Sequence, residues 1–165
     1  MRKLTLMVGL VASLVLSASP ASAQSSGNQR FTVIISGRGE GTTDTARVVA
    51  AGPIRGLGTF EETENPDVVR FVFPDGSITL DAPEDESTGS EEFNERTCSG
   101  SFTFSGPFEI IEGTGAYHGA TGSGTFEGRG RFIGRPTAEG CSEDGFFFLV
   151  VRVKGTVDLH GQAAA

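Results

Sequence analysis

A chain of 165 residues with 21 acidic and 13 basic side chains, formal net charge −8 at pH 7, is one domain's worth of polypeptide with an acidic surface. Charge of that sign repels phosphate backbones and anionic lipid, so neither nucleic acid nor a membrane surface is expected as a partner. Two cysteines and two histidines, His118 and His160, make no metal-ligand set, and neither a metal nor a cofactor is expected.

The chain opens with the pattern of a secretory signal. Arg2 and Lys3 precede an apolar run from Leu4 to Leu16, and Ala21-Ser22-Ala23 is a small-residue cleavage site. The apolar run is shorter than the ~20 residues a bilayer span needs, so a signal peptide over 1–23 is expected rather than a membrane anchor. Cleavage after Ala23 leaves a secreted chain of 142 residues with 11 basic and 21 acidic side chains, a net charge of −10. Two cysteines in an exported chain are most simply a disulfide, Cys98 to Cys141; two buried free thiols are the alternative.

Residues 24–29 read as a flexible N-terminus ahead of a single domain over 30–160. The first strand, Phe31 to Arg38, alternates Phe31, Val33 and Ile35 with Thr32, Ile34 and Ser36. After a Gly- and Thr-rich turn, Ala46 to Glu62 reads as one long strand, or two pieces joined at a bulge or corner near Gly52-Pro53, where proline forbids a regular ladder. Val68 to Phe73 and Ser77 to Asp81 form a hairpin around Pro74-Asp75-Gly76. Ala82 to Thr97 carries six carboxylates and little apolar content, and reads as a solvated loop. Its spacing lacks the alternation of a calcium-binding loop.

Two long strands follow, one carrying Phe102, Phe104, Phe108 and Ile110, the other Phe126 and Phe132, joined through the glycine-rich stretch Gly113 to Gly124 and stapled by the cysteines. A loop around Thr137 to Gly145 leads to the most apolar strand, Phe146 to Leu159. There Phe147, Leu149, Val151, Val153, Val157 and Leu159 share one face. Residues 161–165 read as a flexible tail.

The period is two throughout, and no stretch carries a helical stripe that could roof a sheet. The apolar faces must therefore bury one another, which predicts an all-β fold, an antiparallel β-barrel of about seven or eight strands, with a β-sandwich as the other arrangement. Glycines on the inward faces leave room for facing phenylalanine rings and for coiling at corners.

The stretch Glu112-Gly-Thr-Gly-Ala-Tyr-His-Gly-Ala-Thr-Gly-Ser-Gly-Thr-Phe126 resembles a signature of the allene oxide cyclase-like barrel superfamily, which includes the dirigent proteins. Gly52-Pro-Ile-Arg-Gly-Leu-Gly58 and the Phe-Pro-Asp-Gly hairpin are similar to patterns in small exported bacterial members. The signature makes turns, with glycines for positive φ and an aromatic to plug the barrel end, so it implies a fold more than a reaction. Relatives of known chemistry close or orient small molecules in an apolar lumen and often form trimers or dimers, so the resemblance implies a homo-oligomer without selecting its order.

Functional expectations follow from the residues. A lumen lined by Phe71, Phe73, Phe102, Phe104, Phe108, Phe126 and Phe147 would take a small hydrophobic ligand. Glu112, Tyr117 and His118 bring a carboxylate, a phenol and an imidazole within seven residues and are the candidates for acid–base work at the barrel mouth. The first reading is a binding or scaffold module. A cofactor-free cyclase or isomerase is the second and a self-assembling structural protein the third.

Overall fold

The computed structural model describes residues 25–38, 43–138 and 140–160, with the side chain of Glu143 excepted; residues 1–23, expected as a signal peptide, and 161–165, expected as a flexible tail, lie outside the described residues. Nine strands account for nearly all of it, with no α-helix among the described residues. They are β1 (Ser25–Arg38), β2 (Thr43–Ala51), β3 (Gly56–Glu62), β4 (Val68–Phe73), β5 (Gly76–Asp81), β6 (Thr88–Asn94), β7 (Ser99–Gly113), β8 (Thr121–Thr137) and β9 (Gly140–Leu159).

Every pairing is antiparallel. The order runs β5-β4-β3-β2-β1-β9-β8-β7-β6, and a further pairing of β5 with β7 closes eight of the strands into a barrel, leaving β6 outside the ring. Closure through the β5–β7 pairing is what separates the barrel from the sandwich.

β7 makes closure possible by serving two partners along its length. Glu109 to Gly113 pairs with β5, whereas Ser99 to Ser105 pairs with β6. The switch falls at Gly106 to Phe108, and Pro107, which has no N–H to donate, occupies it at little cost. Beyond the switch, β6, the first half of β7, the second half of β8 and the start of β9 continue out of the barrel as a four-stranded extension. There Phe104 and Phe102 lie directly across from Gly128 and Gly130, each ring occupying the space over its partner glycine, and the two rings stack at 6.2 Å.

One end of the barrel is closed. The β2–β3 turn folds over it with Ile54 fully buried, held by Gln29, whose Nε2 donates to the Ile54 carbonyl (3.1 Å) and whose Oε1 accepts from the Ile54 N–H (2.9 Å). The β7–β8 connection crosses the same end. Its Thr114 N–H donates to Ser77 O and its Ala116 N–H to Asp75 O, both at 2.8 Å. Gly115, at φ 58°, packs its Cα against the β4–β5 turn where a side chain has no room, and this places Tyr117 over the barrel axis, edge-on to Phe73 at 5.9 Å.

The Cys98–Cys141 disulfide is present, with Cα atoms 5.3 Å apart, joining the starts of two strands that are not neighbours in the sheet. β8 passes between them at Gly134, whose N–H donates to the Cys98 carbonyl at 2.6 Å.

Four local readings differ from the structure. Of residues 24–29, read as a flexible N-terminus, 25–29 continue β1 and pair with the end of β9, held by that ladder and by the Gln29 hydrogen bonds to Ile54. The stretch from 46 to 62, read as one long strand or as two pieces joined at a bulge or corner near Gly52-Pro53, is two pieces, but they meet at a full reversal over Gly52 to Arg55 that pairs β2 with β3. The acidic loop contains β6, an exposed edge strand that alternation cannot reveal because both its faces are wet. The loop around 137–145 is shorter than expected, for β9 begins at Gly140.

Candidate ligand cavity

The open end of the barrel keeps a cavity of about 520 Å³ beneath the seam where β7 changes partners. That volume lies within the ~300–1,000 Å³ typical of small-molecule sites. Its floor is formed by Val33, Phe71, Leu80, Phe108, Phe126 and Val153, and one wall by Phe104 of the extension with Leu149 and Val151 of β9, where that strand still pairs with β1. The rim comes from the β3–β4 and β5–β6 connections and the strand ends beside them, with Pro66, Ala82, Ser87, Thr88, Glu62 and Glu84.

Each wall residue is placed by the strand period. Val33 on β1 faces Val153 and Val151 on its neighbour β9, and Phe126 on β8 faces Val153 from the other side. Gly128 across from Phe104 and Gly106 across from Phe126 leave room for both rings over the sheet, where their centroids stand 6.0 Å apart with planes tilted by 57°. At the closed end the interior is filled: Phe31 packs edge-on to Phe71 at 5.2 Å and lies 6.3 Å from Phe73. The barrel is a packed core below and a hollow above.

Of the seven phenylalanines expected to line a lumen, Phe71, Phe104, Phe108 and Phe126 do so. Phe73 belongs to the closed end, Phe102 stacks on the far side of Phe104, and Phe147 packs half-buried against the core. The aliphatic walls from β1 and β9 were legible as inward faces but not as cavity. Most rim residues come from connections with no period to read.

The candidate acid–base group does not assemble at this cavity. A bulge leaves Ile111 without a partner on β5, and it turns Ile111 and Glu112 outward. Glu112 is exposed there, with Thr79 Oγ1 donating to its Oε2 at 3.4 Å. Tyr117 is 6% exposed and plugs the opposite end, and His118 beside it is exposed. Burial, and then the Asp75 carboxylate, push the Tyr117 phenol above its ordinary pKa. Among the described residues no group of three or more His, Cys, Asp or Glu could hold a metal ion.

No family model, curated protein or solved structure matches the chain.

Proposed function

We propose that this protein is a binding module for a small hydrophobic molecule, taken up through the open end of the barrel. The observation that carries the reading is the apolar cavity of about 520 Å³ set between a plugged end and a polar rim. The resemblance of the Gly113 to Gly124 stretch to allene oxide cyclase-like barrels, whose characterised members handle small molecules in an apolar lumen, supports the same reading. Binding is preferred to isomerisation because the cavity offers only Glu62 and Glu84 for proton transfer, both at the rim and away from the phenylalanine floor.

Titration with the neutral dye Nile red tests it. The protein takes up the dye saturably, and Val151→Trp, which fills the cavity from β9, or Ala82→Trp, which closes it from the rim, removes that uptake while thermal unfolding stays cooperative. Absence of saturable uptake, or undiminished uptake in both folded variants, refutes the reading. The rim carboxylates add a preference: a long-chain carboxylate binds roughly tenfold more weakly than the alcohol of equal length. Equal affinities would contradict that preference.

A further inference from the structure

The acidic net charge conceals a basic face. Fourteen of the 21 carboxylates fall between residues 56 and 112, on β3 to β7 and their connections. The outward face of β1, β9 and β8 carries the opposite sign. Strand register places Arg30 beside Lys154, then Arg152 two residues along β9, then Arg129 one strand over and one step further, then Arg131. All five are exposed, and among the described residues none of them has an ion-pair partner. Arg47, two strands from Val150 through Ile34, flanks the line.

We propose that this diagonal stripe binds a linear acidic polysaccharide. Adjacent strands are ~4.8 Å apart and alternate residues on one strand ~7 Å apart, so successive cations stand about 5 to 8 Å from one another over roughly 25 Å. Duplex nucleic acid presents one charge per ~1.7 Å and is bound by denser arrays on basic proteins, whereas a sugar chain with one carboxylate per residue has sparse charges to match. The groove at the lower end of the stripe has the remaining chemistry. It measures about 400 Å³ and joins Arg129, Arg131 and Arg152 to the hydroxyls of Ser101 and Thr103 and to Phe148, which is 43% exposed. Guanidinium forks take carboxylates in two parallel hydrogen bonds, hydroxyls serve sugar hydroxyls, and an exposed ring packs against the C–H face of a pyranose. Glu127, also in the groove, is a lone carboxylate among the three arginines. It penalises a densely charged polymer more than a sparse one.

Affinity electrophoresis of the disulfide-intact protein through gels containing polygalacturonate, with neutral dextran as control, tests the proposal. Polygalacturonate retards the protein at low salt and dextran does not. Arg129→Ser/Arg131→Ser/Arg152→Ser weakens binding by roughly 30-fold or more, since three charge-assisted contacts are lost, whereas Arg70→Ser, outside the stripe, changes it by less than about twofold. Absence of retardation, or equal retardation of the triple variant, overturns the proposal. Tighter binding to a single-stranded oligonucleotide or to anionic lipid vesicles than to polygalacturonate overturns the choice of a polysaccharide.

Discussion

Two buried polar side chains hold the closed end, and each makes a separate measurable claim. Gln29, 2% exposed, satisfies both the N–H and the carbonyl of Ile54. Gln29→Leu keeps the volume and leaves both groups unpaired, which costs about 3 kcal/mol in denaturant unfolding; a loss under about 1 kcal/mol would show that the clamp is dispensable. Tyr117 is the only tyrosine, and the chain has no tryptophan, so its phenolate absorbance reports one group. Its pKa is raised by burial and by Asp75, so the native phenol titrates above 10.0 and the unfolded one near it. A raised folded pKa stabilises the fold fully below the unfolded value, and that stability is lost as pH rises through the folded one. A native titration midpoint at or below that of the unfolded chain would contradict the placement of Tyr117 as a plug. These residues also mark what the sequence leaves unsaid. Tyr117 is legible as a plug because glycines flank it, but Gln29 sits in a polar N-terminal stretch and only its distant partner, Ile54, explains it.

At the scale of elements, alternation was enough wherever a strand has one dry face and one wet face. The β4–β5 hairpin, the long β7–β8 pair and the inward face of β9 could all be read from period and turn chemistry. Reading failed where a strand departs from that condition: β6 is wet on both sides, and the bulge at Ile111 shifts the phase just before Glu112, so a carboxylate counted as inward or at the rim faces out. The extension is the element most dependent on its staple. The bridge closes a loop of 43 residues' separation, for which chain entropy gives a stabilisation of about 4 kcal/mol. With Cys98→Ala/Cys141→Ala, hydrogen exchange speeds up in β6, the first half of β7, the second half of β8 and the start of β9, while β1 to β5 keep their protection. Uniform loss of protection would mean that barrel and extension unfold as one unit. β6 also leaves a free edge, and its exposed Glu91 and Glu92 guard it against pairing with another chain.

The whole molecule has a polarity along its axis and another around it. Along the axis, the β2–β3 turn, Tyr117 and Gln29 seal one end, while the partner switch of β7 opens the other. Around it, carboxylates gather on the side of β3 to β7 and cations on β1, β9 and β8. The axial asymmetry matters most, because a hollow at one end only is what the proposed ligand would enter. Backbone and methyl chemical shifts followed by NMR during titration with Nile red read that asymmetry residue by residue. Saturable shifts are expected at Val33, Leu80, Leu149, Val151 and Val153, and none at Ile54, Tyr117 or Val157. Shifts centred on the closed end, or spread evenly through the barrel, would contradict it.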